Sequence, residues 1–140
     1  MKIAVLIARN LMGLMFLVFG LNGFLHFLPM PMPTGQALQY MTILSASHYM
    51  EPVFLLQIVG GALLLANRFV PLALVLLGPV IVNIILYHIL MAPQGLPLAL
   101  IVTALWLTVF WAVRSAFTGI FAAQLQPQET SGTVPAGRIA

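Results

Sequence analysis

Four long apolar stretches, separated only by short polar or proline-rich breaks, occupy most of this chain and constrain its fold more than any other feature. Of its 140 residues, 62% are hydrophobic and only 5% are charged. Soluble domains usually carry about 25% charged residues, so this chain has too few charges to cover a water-facing surface. We therefore expect lipid as the surrounding solvent, since about 20 apolar residues suffice for one membrane-spanning helix.

The apolar stretches predict an all-α fold, an up-down bundle of four transmembrane helices that forms a single domain, residues 1–122. The spans are expected at about residues 6–28, 52–66, 69–91 and 96–113. The short breaks after the second and third spans allow only antiparallel neighbours. The remaining residues, 123–140, are polar and lack an apolar period, which predicts a disordered cytoplasmic tail.

A fifth, shorter helix is expected at about residues 34–49, between the first two spans. Its apolar side chains fall at helical spacing: Ala37, Leu38, Met41 and Leu44. Its glutamines take another side. This pattern predicts an amphipathic helix that lies in the membrane interface through apolar burial, because it contains no Lys or Arg.

Charged residues are sorted between the two ends of the predicted bundle. The basic residues all belong to one end: Lys2, Arg9, Arg68, Arg114 and Arg138. The histidines and Glu51 belong to the other: His26, His48 and His88. Because basic loops stay in the cytoplasm, this sorting predicts that both termini are cytoplasmic. So few basic residues exclude a nucleic-acid partner, and a chain without cysteine excludes disulfides, thiolate metal sites and redox cysteine pairs.

Polar residues inside the spans form one layer in the outer half of the bundle. Each span contributes one of them: Asn22, Gln57, Asn83 and Thr103. At 1.5 Å per residue, all lie about 7–12 Å below the outer boundary. Asn22 shares a helix face with His26, and Asn83 shares one with Tyr87, because each pair is four residues apart.

These residues predict a polar ligand-binding pocket that opens toward the outer leaflet. Its candidate lining is Asn22, His26, Gln57, Asn83, Tyr87 and His88, with His48 and Glu51 at the rim. Amide, imidazole and phenol donors suit the carbonyl oxygens of a quinone head group. The same residues also fit a second interpretation, in which they form interhelical hydrogen bonds that fix the packing.

Other chemistries have weaker support. Two histidines at comparable depth permit haem, and the histidines with Glu51 permit a metal, but no metal-binding spacing is present, so neither haem nor metal is expected. Proton-coupled transport lacks the intramembrane carboxylate that it usually requires. No pair of nucleophile and general base is visible, so no catalytic residue is assigned and an enzymatic activity stays open.

Three motifs resemble the DoxX-like family of small integral membrane proteins. They are Gly20–Phe27 (GLNGFLHF), residues 67–71 (NRFVP) and residues 79–84 (PVIVNI) followed by His88. The resemblance covers about residues 9–121. It implies a four-helix protein of the bacterial inner membrane that is tied to thiosulfate:quinone oxidoreduction or to another membrane oxidoreductase complex.

Two functions follow from the residues and the resemblance together. The first is a quinone-binding or accessory subunit of a membrane oxidoreductase system, with oxidoreductase subunits as its partners. The second is a non-catalytic membrane scaffold or assembly factor. Homo-oligomerisation is compatible with both.

Overall fold

The computed structural model describes residues 2–121, and these residues form five α-helices and no strand. The helices are α1 (Lys2–Leu25), α2 (Gly35–Ala46), α3 (Met50–Leu65), α4 (Val70–Leu90) and α5 (Leu96–Val113). A 3₁₀ turn, Pro93–Gly95, joins α4 to α5, and a 3₁₀ segment, Arg114–Phe121, follows α5. The all-α prediction is confirmed. The predicted tail, 123–140, lies outside the described residues.

Several helices are long and apolar enough to cross a membrane. Three helical stretches meet this condition alone: Lys2–Leu25, Val70–Leu90 and Pro93–Ile120. With its 16 residues, α3 is about 24 Å long, which is shorter than a hydrocarbon core of about 30 Å. It meets the condition only together with α2, from which it is bent by 86°. The described residues thus form a multi-pass membrane protein with three candidate spans, or up to four if the bent pair counts as one span.

The four long helices pack around one apolar core. α1 contacts α3 and α5, and α4 contacts the same two helices from the other side. The largest fully buried side chains come from all four helices: Met12, Leu64, Leu74, Leu77 and Val109. Apolar side chains from the four long helices therefore bury one another, and most of the remaining apolar side chains face outward.

The polar groups separate into two ends, as the sequence pattern predicts. Lys2 and Arg9 share a cleft with Asn67, the neighbour of Arg68, and with Val113, the neighbour of Arg114. We call this the basic end. At the opposite end are the start of α3 and the end of α4, with the three histidines near them. We call this the histidine end.

Glycines let α1 and α3 approach more closely than any larger residue would allow. A Cβ atom on Gly61 would lie 2.7 Å from the carbonyl oxygen of Gly13 and 2.7 Å from the amide nitrogen of Leu17. A Cβ atom on Gly20 would lie 2.9 Å from the carbonyl oxygen of Phe54. These glycines therefore act in helix packing, as small residues do between membrane helices.

The turn between α3 and α4 uses two residues in the left-handed region. Asn67 has φ 53°, and Phe69 has φ 53° at the N-cap of α4. Asn adopts this conformation readily, whereas Phe does so at a steric penalty. Pro71 then lies in the first turn of α4, where its missing N–H leaves no bond unmade. This turn brings the two helices back side by side.

A tryptophan side chain ties α5 to α4 in the middle of the bundle. The Trp106 indole N–H donates to the carbonyl oxygen of Leu74 at 3.1 Å. Pro79 lies one turn further along α4 and removes the donor that the next carbonyl, that of Val75, would otherwise receive. The indole therefore binds the backbone of the helical turn that the proline perturbs.

We expect the substitution Trp106→Phe to lower the free energy of unfolding by about 1–2 kcal/mol, because an interhelical hydrogen bond and part of a half-buried ring are lost. The measurement is thermal or denaturant unfolding in mixed micelles. The matched control is Trp111→Phe, since Trp111 is 66% exposed and a Phe ring would still lie beneath the Arg114 guanidinium. Its expected effect is less than about 0.5 kcal/mol. Equal losses in both variants would show that the Leu74 hydrogen bond is not what stabilises this contact.

Candidate functional site at the histidine end

Asn22 is buried, but its side-chain oxygen already accepts a hydrogen bond from the protein's own backbone. It is 8% exposed, and its Oδ1 accepts a hydrogen bond of 2.6 Å from the amide of Leu28. The chain leaves α1 at Leu25, so this bond holds the outgoing segment against the last turn of the helix. The Asn22 side chain thus acts as a cap for the chain that follows α1.

His26 does not share a helix face with Asn22. α1 ends at Leu25, three residues before the predicted end of the first span, and His26 has φ 52°. This left-handed residue closes the helix, with its amide bonded to the carbonyl oxygen of Asn22 at 2.9 Å. The spacing of four residues therefore does not place the Asn22 and His26 side chains on one helix face. The His26 side chain is exposed, away from the interior where the sequence pattern placed it.

Gln57 is the second buried polar residue, and it lies on α3 opposite the last turns of α1. Its side chain is 7% exposed. It packs against Gly20, where a Cβ atom would lie 3.0 Å from that of Gln57. Asn22 and Gln57 therefore both belong to the α1–α3 side of the histidine end.

His48 and Glu51 form an ion pair or neutral hydrogen bond at the bend between α2 and α3. The distance from His48 Nδ1 to Glu51 Oε1 is 2.6 Å, and both side chains are more than half exposed. His48 has φ 59°, so it also turns the chain between the two helices. Both residues therefore lie at the outer surface, and their contact braces the 86° bend.

A cluster of two tyrosines and one asparagine lies between α2 and α4. The Tyr40 hydroxyl donates to Asn83 Oδ1 at 3.4 Å, and the rings of Tyr40 and Tyr87 lie 5.8 Å apart. Asn83 is exposed and Tyr87 is half-buried, on the same face of α4. We call these three residues the tyrosine–amide cluster. The contact brings a hydrogen-bond donor from α2 to the polar face of α4.

His88 is next to this cluster, and it too is engaged by the backbone. Its ring meets the ring of Tyr87 edge-on at 5.0 Å. Its Nδ1 is 2.9 Å from the carbonyl oxygen of Ala92, which accepts when Nδ1 carries the proton. Gly95 lies against the same imidazole so closely that a Cβ atom would overlap the ring. His88 thus fastens the turn between α4 and α5.

The structure therefore divides the candidate residues into two groups. Asn22 and Gln57 lie inside, between α1 and α3, whereas Asn83, Tyr87 and His88 lie together on α4. His26, His48 and Glu51 are exposed and belong to neither group. Two clefts of the described residues lie elsewhere, one beside Lys2 and Arg9 and one beside Arg114. Within residues 2–121, no three His, Asp or Glu residues come close enough to hold a metal ion.

Tyr40 is a site residue that the sequence analysis did not select. It lies three residues after Ala37, the one residue of α2 that is buried, at 1% exposed. The helical spacing of the amphipathic segment therefore places Tyr40 close to the side that faces the protein. What the pattern could not indicate is that α4 supplies its partners, since Tyr40 and Asn83 are 43 residues apart.

Comparison with known proteins finds no relative of this chain. No family model matches the chain, and no curated protein or solved structure matches it. Any family relationship therefore depends on the three motifs alone, and any function depends on the chemistry of the described residues.

Proposed function

We propose that this chain is a DoxX-like membrane protein that binds quinone and serves as an accessory subunit of a membrane oxidoreductase system. The observation that carries the proposal is the tyrosine–amide cluster, in which Tyr40 of α2 meets Asn83 and Tyr87 of α4. A quinone head group has carbonyl acceptors and a flat ring. The cluster supplies a phenol O–H, an amide N–H₂ and two aromatic faces.

The exposure of Asn83 favours a ligand at this place. A polar side chain that faces hydrocarbon is unfavourable unless it has partners. The Asn83 amide is exposed, and the hydrogen bond from Tyr40 to its oxygen is long, at 3.4 Å. Its two N–H donors have capacity for an acceptor such as a quinone carbonyl. With Asn83 exposed on a helix long enough to cross the membrane, a quinone dissolved in the lipid phase would reach the cluster directly.

In this proposal the protein lies in the bacterial inner membrane, and the basic end faces the cytoplasm. The sorting of Lys and Arg to that end supports this orientation. The tyrosine–amide cluster then belongs to the outer leaflet. The chain itself holds and positions the quinone, and the oxidoreductase partner supplies the electrons.

We expect the substitution Tyr40→Phe to weaken quinone binding about fivefold to tenfold, because the Asn83 amide loses the hydrogen bond that orients its N–H donors toward the ligand, worth about 1 kcal/mol. The measurement is a titration of the protein in lipid nanodiscs with decylubiquinone, followed by thermal shift. Tyr49→Phe is the matched control, since Tyr49 is 64% exposed, follows the same helix, and lies outside the cluster. It should bind quinone like the wild type. Failure of wild-type protein to bind decylubiquinone, or unchanged binding by Tyr40→Phe, would contradict the proposal.

A second function, a non-catalytic scaffold or assembly factor, is favoured by the backbone bonds of two candidate residues. Asn22 binds the amide of Leu28, and His88 binds the carbonyl of Ala92, so both already have structural partners. If this function is correct, gently purified protein carries no quinone. In that case substitution of Asn83 should impair the capture of a partner protein and leave quinone titrations flat.

A further inference from the structure

The basic end contains a cleft that the quinone proposal does not use. Its volume is about 200 Å³, and it lies where α1, α4 and α5 meet. Lys2, Arg9 and Asn67 supply its polar groups, and Val5, Val109 and Val113 supply apolar walls. It is thus a concave site with cations at the basic end of the bundle.

The two cations of the cleft lie on one side of α1. Lys2 and Arg9 are seven residues apart, which is two helical turns, so their side chains project in a similar direction. The described residues contain a single acidic side chain, Glu51, which lies at the histidine end. Within residues 2–121 the cleft therefore has positive charge and no carboxylate to balance it.

Arg9 has a donor that is not used. Its Nη2 donates to Asn10 Oδ1 at 3.2 Å on the exposed side. Its Nε is buried and has no hydrogen-bond partner among the described residues. A buried guanidinium N–H without an acceptor is unfavourable, and such groups in native proteins normally bind something. Arg9 lines the cleft, and a small rotation of its side chain would turn this N–H toward an anionic oxygen there, which would supply the missing acceptor.

We propose that this cleft binds the head group of an anionic phospholipid, with the phosphate on Arg9 and Lys2 and the first acyl carbons against the valines. Guanidinium groups bind phosphate through strong, charge-assisted hydrogen bonds. Basic pockets between membrane helices are suited to anionic head groups. The apolar walls favour a lipid over a free phosphate ion, because an ion would leave them without a partner. The lipid would hold α1 to α4 and α5 at the end where their helices meet.

The experiment measures lipid binding by native mass spectrometry of the full chain in detergent, with added phosphatidylglycerol or phosphatidylcholine. We expect the wild type to retain phosphatidylglycerol in preference to phosphatidylcholine. Arg9→Gln should weaken phosphatidylglycerol retention about tenfold, the effect of one charge-assisted bond. Arg68→Gln is the matched control, since it removes the same charge at the same end from a residue outside the cleft. Its effect should be less than about twofold, because an exposed charge is screened by salt.

A second variant, Val5→Trp, fills the cleft and keeps both cations. It should also weaken phosphatidylglycerol retention, whereas a purely electrostatic attraction would leave it unchanged. The proposal is overturned if Arg9→Gln and Arg68→Gln cause equal losses, if Val5→Trp has no effect, or if the wild type does not distinguish the two lipids. It is also overturned if inorganic phosphate alone displaces the lipid at low millimolar concentration, since the ligand would then be a free ion. None of these results depends on quinone binding at the opposite end.

Discussion

Replacement of Gly61 by alanine is expected to destabilise the bundle by about 2–3 kcal/mol, which is the largest effect that we predict for one methyl group. The added Cβ would lie 2.7 Å from the carbonyl oxygen of Gly13 and 2.7 Å from the amide nitrogen of Leu17. Both are backbone atoms, so no side-chain rotation can relieve the overlap. α1 and α3 would have to separate, and dispersion contacts along their shared interface would be lost.

The measurement is the unfolding free energy of Gly61→Ala in mixed micelles, beside the matched control Gly78→Ala. Gly78 also lies inside a membrane helix, but the nearest atom to its added Cβ is 3.8 Å away, on Trp106. Alanine has the higher helix propensity, so this control should be neutral or more stable by up to about 1 kcal/mol. If Gly61→Ala proves as stable as the control, α1 and α3 do not approach each other as closely at Gly61 as the structure shows.

Asn22→Leu should lower the unfolding free energy by about 2 kcal/mol, because the amide of Leu28 would lose its acceptor in an apolar setting. The native hydrogen bond is 2.6 Å long, and Asn22 is 8% exposed. The substitution should also accelerate hydrogen exchange at the Leu28 amide. Such a local signal would distinguish the loss of this cap from a general loss of packing.

Asn10→Leu is the matched control for the cap, since it makes the same change on the exposed side of the same helix. It should alter the unfolding free energy by less than about 0.5 kcal/mol. It should also leave exchange at Leu28 unchanged. A slow Leu28 amide in Asn22→Leu would mean that another group holds the segment after α1.

How well the sequence predicted each feature depended on how local its cause was. Apolar runs and prolines are local signals, so the predicted span at 96–113 coincides with α5, and the span at 69–91 differs from α4 by one residue at each end. The end of α1 was misplaced because nothing in the apolar run marks Leu25 as its last helical residue. The helix ends there because His26 adopts a left-handed backbone conformation and because the Leu28 amide donates a hydrogen bond to the Asn22 side chain. Both features are visible only in the folded chain.

The candidate site was predicted less well than the helices, for the same reason. The sequence predicted a polar layer at the histidine end, because depth along a helix follows from counting residues. It could not assign the polar residues to the interior or to the lipid face, since that depends on how each helix is rotated against its neighbours. The structure buries Asn22 and Gln57, leaves Asn83 exposed, and adds Tyr40 from another helix.

The sequence by itself determined the membrane environment, the all-helical class and the separation of basic and histidine ends. These properties depend on composition and on order along the chain, which no packing arrangement can change. The tertiary structure alone decided which polar groups meet: Tyr40 with Asn83, and Lys2 with Arg9 and Asn67 around one cleft. Such contacts depend on helix rotation and on the close approach at Gly61, both of which arise from side-chain packing between distant segments.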